Sequence, residues 1–137
     1  MEPYLIETYG PEIPVRELEK QIEIASDHTL LSCTNQAFEK DNQLHQLFYD
    51  ASNNSYIREI MDRTYVLSHR LRILSGIGSE ERLYETQKEH LEILKYMCEG
   101  DFTGAGQSMK VHLINARQAA IDAMIGGNRQ KVNKINI

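Results

Sequence analysis

The sequence predicts an all-α fold, an antiparallel bundle of about six helices. Three observations carry this reading. Apolar residues recur three or four positions apart in every long segment. The period-two alternation of a half-buried strand is absent. Glycine, proline and asparagine breaks cut the chain into pieces of helical length.

Residues 1–9 read as the end of a helix without a capped start, stopped by Gly10-Pro11. Pro14 suits the first turn of the second helix, where a missing N–H is harmless. That helix places Val15, Leu18, Ile22 and Ala25 on one stripe and is expected to run to about Leu31. Cys33-Thr34-Asn35 mark a break or a shallow kink. The third helix spans roughly Gln36 to Ser52. Asn53-Asn54 interrupts it, since asparagine tolerates the left-handed conformation that closes a helix. A fourth helix is expected from Ser55 to about Ser75, with Ile57, Ile60, Met61, Thr64, Leu67, Leu71 and Leu74 in its stripe. Gly76-Ile77-Gly78 ends it. Ser79 can cap the fifth helix, whose first turn carries Glu80 and Glu81, where the helix dipole favours negative charge. That helix runs to Glu99, Gly100 closes it and Asp101 is the next cap. The last helix is expected from about Thr103 to Ile125, stopped by Gly126-Gly127. Gly104 and Gly106 each weaken its first turn by up to ~1 kcal/mol relative to alanine. Residues 1–127 then form one domain and 128–137 a C-terminal tail that frays or extends along a partner.

The third helix holds the chemistry. Asp41 and His45 stand four residues apart, which stacks them on one face, and Leu44, Phe48 and Ala51 turn that face inward. A carboxylate and an imidazole side by side in a core need a partner, and a divalent metal satisfies both. His90 interrupts the fifth helix's stripe of Leu83, Gln87, Leu94 and Met97. His112 interrupts the sixth's stripe of Ala105, Met109, Ala116 and Ala119 or Ala120. A lone histidine on an apolar face is more often a satisfied core residue, and Asp41–His45 alone could be a helix-surface pair worth roughly 0.3–0.5 kcal/mol. Three inward histidines with the aspartate are harder to assign to packing. Asp41, His45, His90 and His112 are therefore the candidate metal ligands, inside the bundle.

Composition narrows the alternatives. The chain has 137 residues, enough for one domain with a real core. Its net charge of −5 argues against the domain itself gripping a phosphate backbone. A local basic cluster of Arg70, Arg72 and Arg82 reads either as a solvated helix end or as a clamp for a small anion. No apolar run approaches the ~20 residues of a membrane span, and Met1 leads into Glu2-Pro3-Tyr4 rather than a secretory signal. Cys33 and Cys98 show no paired spacing, so reduced thiols and a cytoplasmic setting are expected, with Cys98 a small core residue. Gly-rich phosphate loops and nucleophile elbows are absent from the sequence.

The order Asp41-x-x-x-His45, Ala51-Ser52-Asn53-Asn54-Ser55-Tyr56-Ile57, Glu89-His90-Leu91-Glu92-Ile93-Leu94, Gly100-Asp101 and His112-Leu113 resembles the FCD domain. This is the all-helical effector-binding domain of FadR-type GntR bacterial transcription regulators. The resemblance runs from Glu2-Pro3 to about Ile125. It implies that Asp41, His45, His90 and His112 are metal ligands with near-octahedral geometry, leaving positions for water or a ligand oxygen. It matches Arg70, Arg72 and Arg82 to positions where members often carry arginine, and Asn54 to a helix-joining asparagine. Leu44 is smaller than the residue common before the histidine. Members also carry a winged helix-turn-helix, for which this chain has no room, so an excised or stand-alone effector domain with a shortened first helix is expected.

The expected function follows. A divalent metal, zinc first and nickel or manganese next, would be joined by a small organic acid. Arg70 or Arg82 would grip its carboxylate and Asn115, one turn past His112, would donate a hydrogen bond. The acid would shift helices that form a homodimer, and control DNA binding through the missing domain. The competing classes are a metal-dependent hydrolase and a metal site without an organic ligand. The hydrolase would want a general base. Glu89 adjoins His90 but is expected to face away, about 100° round the helix, so a non-enzymatic role is expected.

Overall fold

The computed structural model describes residues 2–32, 34–75 and 80–135. Among these, every regular element is helical: α1 (Glu2–Tyr9), α2 (Val15–Ala25), α3 (Thr34–Ala51), α4 (Ser55–Ser75), α5 (Glu80–Cys98) and α6 (Phe102–Ile135), with short 3-10 turns at Gly10–Glu12 and His28–Ser32. α5 and α6 pack against each other as a hairpin. α1 lies on α6 and α3, α2 lies on α5, and α4 meets α3 and α6. The core is filled from the stripes read in the sequence: Leu18 of α2, Leu44 and Phe48 of α3, Ile93, Leu94 and Met97 of α5, and Ala105 and Met109 of α6, with Ile6 added by α1.

The breaks work as their residues suggest. Asn53 adopts φ 49° and closes α3. Asn54 then caps α4, its Oδ1 accepting from the backbone N–H groups of Tyr56 at 3.0 Å and Ile57 at 3.3 Å. Gly100 closes α5 at φ 79°. The carboxylate of Asp101 accepts from the Gly104 N–H at 2.8 Å and starts α6 at Phe102, earlier than expected.

Several boundaries differ from the sequence reading. α2 stops at Ala25, not near Leu31. Ser26 Oγ donates back to the Ile22 carbonyl at 2.8 Å, and Asp27 Oδ1 accepts from the Thr29 N–H at 3.0 Å and its hydroxyl at 2.6 Å. These local bonds offer the backbone an alternative to the helix ladder. α6 does not stop at Gly126-Gly127 but continues to Ile135. Each glycine costs about 1 kcal/mol, which a helix already nucleated can absorb. Gly106 also has a positive use. A Cβ there would stand 3.2 Å from the Pro3 carbonyl oxygen and 3.0 Å from Glu7 Cγ, so its absence lets α1 lie close on α6.

Not every apolar stripe is core. Val15 is exposed, and so is Cys98, one position past the buried Met97 and about 100° round the helix from it. On α4, Ile60 and Leu67 face outward. Gly76–Ser79, the side chains of Arg70, Arg72, Leu71 and Leu74, and the side chains of the tail lie outside the described residues.

Candidate metal centre

α3, α5 and α6 bring the four candidate ligands together. One ligand atom from each of Asp41, His45, His90 and His112 lies within 4.8 Å of the other three. Asp41 Oδ1 stands 3.0 Å from His90 Nε2 and 3.3 Å from His45 Nε2, and the Nε2 atoms of His90 and His112 are 3.3 Å apart. Atoms bound about 2.1 Å from one ion are ~3.0 Å apart at right angles and ~3.4 Å apart at tetrahedral angles. The three short separations fall in that range, and three imidazoles with one carboxylate suit a divalent transition ion. The donor set therefore fits a metal.

The outer edges of two imidazoles are held by carboxylates. His112 Nδ1 donates to Glu89 Oε1 at 2.6 Å, and His45 Nδ1 donates to Glu2 Oε2 at 2.5 Å. With Nδ1 held by a carboxylate, each ring turns its Nε2 toward the common centre, the arrangement by which carboxylates orient metal-binding histidines. Glu89 is itself clamped. Arg82 forks onto it, Nη2 to Oε1 at 3.0 Å and Nη1 to Oε2 at 3.2 Å, and Asn115 Nδ2 donates to Oε2 at 3.0 Å. Burial alone would raise the Glu89 carboxyl, but the hydrogen bonds from His112, Arg82 and Asn115 and the Arg82 charge hold it at about 2.

Electrostatics around the inner atoms follow burial and pairing. Burial opposes charge on Asp41, yet His45 and His90 keep it ionised well below the usual carboxylate range. Burial likewise opposes an imidazolium at His45, but Glu2 and Asp41 hold its pKa well above the ordinary value. His90 goes the other way: burial pushes it down to about 4 against the pull of Asp41. Tyr49, whose hydroxyl donates to Glu2 Oε1, is pushed up by burial and by the Glu2 charge.

A cavity of about 80 Å³ opens beside the cluster, touching Asp41, His90 and His112. Its walls include Ile24, Leu44 and Leu83, with Lys40, Arg82 and Gln87 as polar members. It has room for several waters or a small organic molecule. Of the residues read as effector contacts, Arg82 lines this cavity but already forks onto Glu89. Asn115 also bonds Glu89, and the Arg70 side chain lies outside the described residues. Glu89 does not face away from the site as expected. The i−1 neighbour of His90 points to α6 and meets His112, a contact that depends on helix pairing rather than on position within α5. The sequence reading missed Glu2 and Tyr49 as partners of the cluster, and Lys40 as a cation on the cavity wall. Lys40 could have been found, since it adjoins Asp41.

Fold and site together define an all-helical bundle domain with a candidate metal centre enclosed by its helices. The chain belongs to the FCD domain family, whose model matches residues 6–115. It is similar to a solved structure described as the metal-free FCD domain of TM0439, a proposed transcriptional regulator. Identity to that domain is 25%, the TM-score is 0.72, and the match covers 92% of this chain and 87% of that one. No curated protein matches the sequence.

Proposed function

We propose that this domain is the effector-binding and dimerisation part of a GntR-family transcription regulator. Asp41, His45, His90 and His112 hold a divalent metal, zinc first, and the adjoining cavity takes a small organic acid. The observation that carries this is the convergence of one ligand atom from each of these four residues to within 4.8 Å of the others, three of the separations being 3.0, 3.3 and 3.3 Å, with the cavity touching three of the four residues. The bound metal supplies a Lewis-acidic position for a carboxylate oxygen. Arg82 and Lys40 add positive charge to the cavity wall, and the apolar walls favour a short carbon skeleton. The likeness to a regulator's FCD domain supports control of DNA binding by a separate winged helix-turn-helix. Glu89 supports the non-enzymatic reading, since both its oxygens are taken by His112, Arg82 and Asn115. No helix among the described residues is long and apolar enough to cross a membrane, which agrees with a cytoplasmic regulator.

Isothermal titration of the zinc-loaded protein with a panel of two- to six-carbon carboxylic acids tests the effector reading. Saturable binding of at least one acid is expected, weakened by Arg82→Ala. Zinc-loaded protein that binds none of the panel would leave a metal site without an organic ligand.

The dimer has its own support. Val111, Ile114, Ile121 and Ile125 are 38–58% exposed and fall on one face of α6, while Ile60 and Leu67 are exposed on the neighbouring α4. Such an apolar surface is seldom left bare in a monomer. The wild type is expected to sediment as a dimer and Ile114→Glu as a monomer, with unchanged helical circular dichroism. A monomeric wild type at micromolar concentration would end this part of the reading.

A further inference from the structure

The contact between His45 and Glu2 joins the cluster to the first helix. We propose that Glu2 is a positioning residue of the centre: its carboxylate sets His45 for metal binding and makes the docking of α1 depend on whether a metal is held. This rests on the metal reading given above.

Glu2 is only 6% exposed, a place where a charged group is rarely found without compensation. Both its oxygens are engaged by α3. Oε2 accepts from His45 Nδ1 at 2.5 Å, and Oε1 accepts from the Tyr49 hydroxyl. Glu2 and Asp41 thus place two carboxylates on opposite nitrogens of the same imidazole. A divalent cation bound among the ligands balances these two charges. It favours the buried position of Glu2 through the His45 ring, in the way a carboxylate behind a metal-bound histidine is strengthened by the metal. The coupling reaches a whole helix because Glu2 lies in the first turn of α1.

α1 therefore has two anchors of different kinds. Leu5 and Ile6 are fully buried, and Gly106 gives the helix a close seat on α6. That apolar anchor is indifferent to metal. Glu2 is the polar anchor, and it responds to metal. The Glu89–His112 contact has no such reach, because it lies between α5 and α6, which form the packed hairpin.

The test uses the 137-residue protein with zinc and cobalt(II) as probes. Amide exchange of residues 2–9 is followed by mass spectrometry with and without saturating zinc, in wild type, Glu2→Gln and Leu5→Ala. In wild type, zinc is expected to slow exchange across α1. Glu2→Gln keeps the volume and removes the charge. It should bind zinc about 10–100-fold more weakly, change the visible spectrum of the cobalt(II) form, and leave α1 exchange insensitive to zinc. Leu5→Ala should speed α1 exchange in both states, lose much less zinc affinity than Glu2→Gln and keep the wild-type cobalt spectrum. If Glu2→Gln does not fold, Tyr49→Phe, which removes the other hydrogen bond to Glu2, should move affinity and exchange in the same direction. Glu2→Gln with wild-type zinc affinity and a wild-type response of α1 would overturn the proposal. So would Leu5→Ala that loses as much zinc affinity as Glu2→Gln, since Glu2 would then act only through packing. A wild type that takes up neither zinc nor cobalt removes the metal reading itself, and this inference with it, and so is told apart from failure at Glu2 alone.

Discussion

Wild-type protein is expected to carry near-stoichiometric divalent metal by elemental mass spectrometry, and His90→Ala almost none. His90 is the pivot of the cluster: its Nε2 lies 3.0 Å from Asp41 Oδ1 and 3.3 Å from His112 Nε2, and its ring packs edge-on against both other imidazoles. Removing it leaves two histidines and an aspartate around a widened gap. The loss should also be visible as stability. A ligand that binds only the folded protein, present at a hundred times its Kd, adds about 2.7 kcal/mol to the unfolding free energy. Zinc should therefore raise the melting temperature of wild type and leave that of His90→Ala unchanged. If wild type holds no metal even after reloading with zinc or nickel, the four residues are core packing and the cavity is left with its arginine and lysine alone.

Phe48→Ala is expected to cost about 3–5 kcal/mol, the range for emptying a buried aromatic site. That is a large share of the ~5–15 kcal/mol that holds a typical domain together. Phe48 is fully buried in the core cluster with Ile93, Leu94 and Met109, so its truncation leaves a void inside the packed interior. It also lies one turn from His45, and the void should loosen α3 under the candidate ligands. Urea titrations of the metal-free and zinc-loaded forms read both effects: a lower midpoint in each, and a smaller gain from zinc than wild type shows. A loss below 1 kcal/mol would mean that α3 is not packed as described.

Helix identity was legible wherever a stripe of period 3.6 ran between strong breakers. Gly10-Pro11, Asn53-Asn54 and Gly100-Asp101 each act within one or two residues, so local chemistry was enough. α2 was misjudged at its end because Ser26 and Asp27 bond to nearby backbone, a competition that periodicity does not register. α6 was misjudged because glycine weakens a helix without forbidding it. The inward histidines stood out as polar interruptions of apolar stripes, and the structure gathers them. Their carboxylate partners did not stand out. Glu2 reaches His45 across 43 residues and Glu89 reaches His112 across 23, and such pairings exist only once the helices have docked. The outward side of α4 was hidden for the opposite reason. Ile60 and Leu67 follow the same spacing as core residues, and only the arrangement of neighbouring helices shows that nothing in the described chain covers them.

The cluster is reached unevenly. His45 is backed by Glu2 and Tyr49, whereas Asp41, His90 and His112 form part of the cavity wall. An ion leaving by the cavity must pass whatever occupies it. If the metal and the acid are held as proposed, binding by this route is ordered in time, metal first and small molecule second, with departure in the reverse sequence. The small molecule would then act as a stopper as well as a signal: it would lengthen the residence time of the ion, and a chelator added to the doubly loaded protein would have to wait for the stopper to leave.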